Sequence, residues 1–225
     1  GVETSFVHGR DLDGLKQAIR PNTKFLFCQM IRNPGLDVLD VDAVAKIAAE
    51  AGIPVVMDAT FCTPHLFKPL DHGVHVVIHS VTKWLGGHGT TIGGAIIDGG
   101  NFNWARKDAE GRDKWPTLTA PHYALEGIVF WEEFGPIALS QRIRAEAMYN
   151  FGPSMSPFAA FQLLQGIETL PLRMERHMEN TAKMVDFLSR HEQVSWVRHP
   201  SLSDHPDHDV AERVLPRGAG SIIAF

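Results

Sequence analysis

The sequence predicts an α/β domain built on a mostly parallel sheet, on three observations. Two short β-branched runs, Pro54–Met57 and Val74–Ile78, are too short for helices, and each ends in polar residues. A strand pattern at Lys24–Met30 and the Pro54 run flank an amphipathic helix, Asp40–Ala51, which is the strand–helix–strand crossover of parallel sheets. The polar residues after the two runs, Asp58 and then Ser80, Thr82 and Lys83, stand where open α/β sheets present ligands, at the carboxyl ends of strands.

Taken in order, the chain opens on GVETSFVH, which reads as a strand without a preceding cap or turn. Residues 11–19 set Leu12, Leu15 and Ile19 at helical spacing behind Asp11 as a cap, and Pro21-Asn22 stops that helix. In the Asp40–Ala51 helix, Val41, Val44, Ile47 and Ala48 point inward and Gly52 ends the run. Thr91–Asp98 is a further strand, closed by Gly99-Gly100. Residues 101–136 are irregular and aromatic, with Trp104, Trp115, Trp131 and Phe134 read as loop side chains packing onto the body.

Ser156–Ser189 is helical, with Ser156 as N-cap, Pro157 in the first turn and Pro171 as a break or kink. Met155, Met174, Met178 and Met184 are read as packing in the core and at that bend. The remainder gives a strand at Val194–Val197, a short helix at Val210–Leu215 and a strand at Gly220–Phe225. His199, His205 and His208, interleaved with Asp204, Asp207 and Asp209, fit no structural zinc spacing, and no metal is expected.

Composition narrows the function classes. The 225 residues are 44% hydrophobic and 21% charged, enough apolar content for a sizeable core. A formal net charge of -5 gives no electrostatic reason to expect a nucleic-acid partner. There is no apolar run of about 18 residues and no charged-then-apolar leader, so neither a membrane span nor a signal peptide is expected. The two cysteines, Cys28 and Cys62, lie in apolar surroundings, which points to buried thiols in a reduced, cytoplasmic setting.

The stretch from Pro54 to Gly94 carries the chemistry. Lys83 supplies an amine that can condense with an aldehyde, and Asp58 an anion for a protonated ring nitrogen. Ser80 and Thr82 supply hydroxyls for a phosphate, while Gly86, Gly87 and Gly89 allow close backbone approach. Those are the requirements of pyridoxal 5'-phosphate (PLP).

The phrases DATFCTP and HSVTKWLGGHGTTIGG then resemble the signature of the Cys/Met-metabolism family of PLP-dependent transsulfuration enzymes. Typical members have Asp-Asn-Thr where this chain has Asp58-Ala59-Thr60, and often Tyr at the position of His65. The resemblance implies an aspartate-aminotransferase-like (fold type I) architecture with helices on both faces of the sheet. The PLP-binding large domain would be residues 1–155, and residues 156–225 a linking helix and the start of a smaller α+β domain. Lys83 would hold the cofactor, Asp58, Thr60, Ser80 and Thr82 would bind it, and Asn33, in QMIRNPG, would donate to its phenolic oxygen.

GGAIIDGGNFNW, Gly93–Trp104, and EGIVFWEEFG, Glu126–Gly135, resemble the O-acetylhomoserine sulfhydrylase branch of that family, and LQGIETLPLRMERHMENT also matches its pattern. The activity implied is γ-replacement, with sulfide or a thiol displacing acetate to give homocysteine or methionine. Methionine γ-lyase, cystathionine γ-lyase and cystathionine γ-synthase share these cofactor residues and are the alternatives, with an inactive isolated fragment as the reading from another class. Family members are longer, so the chain is expected to lack flanking parts that carry a phosphate loop, a ring-stacking Tyr and a carboxylate-binding Arg. The resemblance also implies a homotetramer built from dimers that share active sites.

Overall fold

The computed structural model describes residues 1–225. At its centre is a four-stranded sheet in the order β1 (Leu26–Gln29), β2 (Val55–Asp58), β3 (Val76–Ser80), β4 (Gly94–Asp98). The first three strands run parallel, with Gln29 opposite Asp58 and Asp58 opposite Ile78. β4 is antiparallel and pairs Ser80 with Gly94. Parallel neighbours need a crossover, whereas an antiparallel neighbour can follow directly. Helix α2 (Val41–Ala51) therefore carries the chain from β1 to β2, and helix α3 (Thr63–Leu66) with a 3-10 turn at Pro69–His72 carries it from β2 to β3.

Local chemistry sets these elements. Helix α1 (Leu12–Ala18) starts where the Asp11 carboxylate accepts the Gly14 N–H at 2.8 Å. Asp40 caps α2 in the same way through Ala43, and Gly52, at φ 62°, closes its far end in the left-handed conformation that glycine adopts without strain. Val41, Val44, Ile47 and Ala48 are buried, as the periodicity requires. They meet one face of the sheet, where Val55 and Met57 are fully buried while Val56 and Asp58, on the alternate positions, are half-buried.

The segment between β4 and the long helices is more helical than its sequence predicts. It forms α4 (Pro116–Thr119), α5 (Phe130–Phe134) and α6 (Ala138–Arg142), which runs through a π-helical stretch, Ile143–Met148, into α7 (Tyr149–Phe151). These helices are too short to display a period and have no side-chain caps. The aromatic residues pack as expected. Phe102 meets His75, Trp104 and Trp115 edge-on at 4.8–4.9 Å, and the Trp115 indole donates to the Lys24 carbonyl at 3.2 Å. Trp131 and Phe134 lie partly buried against the core.

Helix α8 (Pro157–Glu168) begins at Ser156, whose hydroxyl accepts the Ala159 N–H, and α9 (Leu170–Ser189) follows after a break at Thr169. Pro171 lies in the first turn of α9, where a missing N–H leaves no carbonyl unsatisfied. Helix α10 (His208–Val214) adds Ala211 and Val214 to the core. Asp37, 8% exposed, receives Arg10, Arg32 and Arg198 at 2.6–2.7 Å, and Arg10 also holds Asp207, which accepts the Val38 N–H at 2.9 Å. This network fastens the C-terminal segment to the β1–α2 connection.

Three expectations are corrected. Residues 1–8 form no strand: no neighbour pairs with them, and Val2 and Phe6 are exposed. Val194–Val197 and Gly220–Phe225 form no continuous strands either. They meet only in the bridge of Arg198 with Ala224, because Gly218 and Gly220, at φ 122° and 90°, bend the second segment away from a ladder. Met174 is fully buried and Met178 packs on the core, but Met155 and Met184 are exposed.

The buried histidines fix a pH dependence. Burial holds His75, His79, His199 and His205 below the ordinary imidazole range. Unfolding restores a value near about 6.5, so below that pH the unfolded chain binds more protons and the fold loses stability. Asp207 acts in a lower window. Burial opposes its ionisation, but the Arg10 hydrogen bond and the Val38 N–H outweigh burial and hold it below the usual carboxylate range. Its contribution is present above about pH 4 and is lost as the pH falls through its lower folded value. Urea unfolding of the intact protein should therefore show stability falling from pH 7.5 to 5.5, by at most about 1.4 kcal/mol for each histidine the fold keeps neutral. His199→Gln should reduce that slope; an unchanged slope would mean that His199 is not the coupled group.

Candidate active site

The parallel register brings the carboxyl ends of β1, β2 and β3 to one edge, so that Gln29, Asp58 and Ser80 are neighbours there. Past β3 the chain coils tightly. The Lys83 N–H donates to the Ser80 carbonyl at 3.2 Å, Gly86 to Val81 at 2.8 Å and Gly87 to Lys83 at 2.7 Å. The cavity above this edge, about 480 Å³, is lined by Asn33, Asp58, Thr60, Ser80, Thr82 and Lys83, all six residues singled out from the sequence. Gln29, Ile31, Phe61, Trp84 and Ile222 complete the wall with Gly87 and Gly89. His65 does not line it.

Each polar side chain has a definite post. Asp58 Oδ1 accepts the Thr60 N–H at 2.9 Å, and its Oδ2 accepts from Gln29 Nε2 at 3.4 Å. The Thr60 hydroxyl oxygen accepts the Ser80 N–H at 2.9 Å, which ties the end of β3 to the turn after β2. The Thr82 hydroxyl accepts the Gly93 N–H at 2.9 Å and donates to the Gly93 carbonyl at 3.2 Å, so its proton is engaged within the chain. The Asn33 N–H reaches Gln29 Oε1 at 3.4 Å. Lys83 is exposed at the cavity.

Beneath the edge the groups are inert. Burial pushes the Cys28 thiol up to about 12, and burial together with the Asp58 charge raises Cys62 as well, so neither is a thiolate near neutral pH. His79, 5% exposed, is lowered by burial against the opposing pull of Asp58 and stays neutral. The histidines of the 199–209 segment are wired to their own surroundings: His199 Nε2 faces the Gly220 carbonyl, His208 Nδ1 the Pro200 carbonyl, and His205 Nδ1 accepts the Asp207 N–H.

Sequence reasoning missed Gln29, which bridges Asp58 and Asn33. A glutamine at a strand end has no motif; only the pairing register, which sets it opposite Asp58, identifies it. The donor set fits PLP: an amine, a fixed carboxylate, hydroxyls and amides line one cavity. At Gly89 (φ 66°) the space where a Cβ would point is open, and the backbone there is in the glycine-favoured region.

The Thr60 bracket can be measured. Thr60→Val removes the acceptor of the Ser80 N–H and should cost about 1 kcal/mol in urea unfolding, whereas Thr60→Ser should recover most of it. Equal losses in the two variants would show that the methyl group, not the hydroxyl, is what matters.

The sequence model of the family described as Cys/Met metabolism PLP-dependent enzymes matches residues 1–225. An O-acetyl-L-homoserine sulfhydrylase of Leptospira meyeri is 42% identical over 234 residues, covering 100% of this chain and 52% of the relative. A homocysteine/cysteine synthase of Saccharomyces cerevisiae is 41% identical over 226 residues, covering 100% of this chain and 50% of the relative. The chain thus spans about half the length of the curated relatives it matches. Among solved structures, a Campylobacter jejuni protein described as a candidate O-acetylhomoserine (thiol)-lyase superposes with a TM-score of 0.86 at 31% identity. The match covers 96% of this chain and 53% of that one, and that crystal structure contains N'-pyridoxyl-lysine-5'-monophosphate.

Proposed function

Because the chain belongs to the Cys/Met metabolism PLP-dependent enzyme family, we propose that the whole protein is an O-acetylhomoserine sulfhydrylase. In that reaction the sulfur of sulfide or a thiol bonds to the γ carbon as acetate leaves, giving homocysteine or its thioether. The observation that carries this reading is the cavity at the carboxyl edge of the parallel strands, lined by Lys83, Asp58, Ser80 and Thr82. The sulfhydrylase relatives at 41–42% identity over the full chain support it.

Lys83 would hold PLP through its amine, and the same amine would move protons at the α and β carbons of the substrate. Bound there, PLP supplies the electron sink for the electrons left when those protons depart. Asp58, fixed by Thr60 and Gln29, keeps a negative charge beside the ring nitrogen. Ser80 and Thr82 would hold the phosphate, and Thr60 braces both Asp58 and Ser80. Asn33 would donate to the phenolic oxygen from its place against Gln29.

The same reading includes a cytoplasmic enzyme that assembles as a homotetramer built from dimers with shared active sites. The free thiols Cys28 and Cys62 support the reducing setting, and no helix is long and apolar enough to cross a membrane. It also divides the chain into a cofactor domain, residues 1–155, and a linker with the start of a second domain, residues 156–225. The Ser156 cap that opens α8 supports that boundary.

Given O-acetylhomoserine and sulfide, the intact protein should form homocysteine as its main product with little 2-oxobutanoate. Mostly 2-oxobutanoate, made from methionine or cystathionine, would assign it to the γ-lyases instead. Asp58→Asn should leave PLP bound yet slow turnover by about 10²–10³, because an amide cannot balance the ring charge. Near-parental turnover in that variant would make Asp58 a structural residue.

A further inference from the structure

The turn that carries Lys83 is gripped from outside the sheet. Arg173, near the start of α9, donates from Nη1 to the Trp84 carbonyl at 2.8 Å and from Nη2 to the Gly166 carbonyl at 2.7 Å. The same Nη2 reaches the Leu85 carbonyl at 3.4 Å, and Nε donates to the Thr169 hydroxyl at 3.2 Å. One guanidinium thus joins the two residues after Lys83 to the last turn of α8. The rigid fork of an arginine suits several acceptors at fixed angles, which the point charge of a lysine cannot match. A cation is also favoured at the carboxyl end of a helix, where α8 presents its carbonyls.

Arg173 has no carboxylate partner: every one of its hydrogen bonds goes to a carbonyl or a hydroxyl, and desolvation lowers its pKa. A partly desolvated cation without a counter-ion needs those acceptors in place. The surrounding backbone leaves little freedom. A Cβ at Gly166 would lie 2.1 Å from the Gly86 carbonyl oxygen, and one at Gly86 would lie 2.8 Å from the Val81 carbonyl oxygen. One turn along α9, the His177 ring meets Trp84 at 5.0 Å, and Trp84 lines the cavity beside Lys83.

We infer that Arg173 is a positioning residue for Lys83, holding residues 83–87 against α8 and α9 so that the amine stays at the cavity edge. Arg173 does not line the cavity and acts only through the carbonyls of Trp84 and Leu85. The inference rests on the assignment of Lys83 as the cofactor-bearing lysine, and its consequence is kinetic. A small displacement of a reacting group costs up to about 10²-fold in rate.

The experiment uses the full-length holoenzyme, with borohydride reduction and peptide mapping as the first step. Label on a lysine other than Lys83 would overturn the assignment of that residue, and the inference with it. With label on Lys83, Arg173→Gln should lower kcat about 10- to 100-fold, with a much smaller change in KM for O-acetylhomoserine. It should slow PLP capture by the apoenzyme, followed by its visible absorption, by a similar factor. Arg173→Lys, which keeps the charge and serves if the glutamine variant does not fold, should be impaired too. Added methylguanidine should partly restore Arg173→Ala. Parental capture rate and kcat in Arg173→Lys, or a loss in Arg173→Ala that methylguanidine leaves untouched, would overturn the inference while leaving Lys83 assigned.

Discussion

The parallel register of β1, β2 and β3 is the constraint on which the site depends. It sets Gln29 opposite Asp58 and Asp58 opposite Ile78, so that three strand ends reach the same edge at the same height. A slip of one residue in β2 would turn Val55 and Met57, both fully buried, toward the other face, and would drive Asp58 into the core. The apolar burial that stabilises the sheet is therefore also what aims the carboxylate. Core and site are fixed by one pairing.

Beyond the strand ends, side chains continue what the ladder begins. Thr60 accepts from Ser80, and Thr82 bonds both backbone groups of Gly93, so the turns after β2 and β3 are tied to one another and to the entry of β4. These short hydroxyl bridges replace backbone pairing where the sheet stops. They leave the carbonyls of Trp84 and Leu85 pointing outward, where Arg173 meets them.

How much was legible in the sequence follows from the range of each interaction. The buried face and glycine stop of helix α2 are legible because both lie within one run of residues. Asp58, Ser80, Thr82 and Lys83 are legible because a strand end followed by polar residues is a local pattern with a chemical meaning, whereas Asn33 and Thr60 rest on the family resemblance. Gln29 is not legible, since its role exists only through a partner 29 positions away. The supposed terminal strands failed for a related reason. A β-rich composition does not supply a neighbour, and Gly218 and Gly220 turn the last segment away after a single bridge. The exposed Met155 and Met184 show the same limit, because apolar identity does not say which face is covered.

The aromatic segment after β4 separates descent from contact. Its phrases resemble the sulfhydrylase branch, yet Trp104 and Trp115 pack with Phe102 against His75 and Lys24, which precede β3 and β1. They close the amino edge of the parallel strands, whereas the cavity lies at the carboxyl edge. In open α/β sheets ligands bind at the carboxyl edge, so side chains at the opposite edge act on stability. Within this chain the apolar side chains that line the cavity are Ile31, Phe61, Trp84 and Ile222. Trp84 links the two arrangements, since it lines the cavity while its carbonyl is the acceptor that Arg173 holds. The cavity wall and the turn that carries Lys83 are thus joined at one residue, and a change in either alters both.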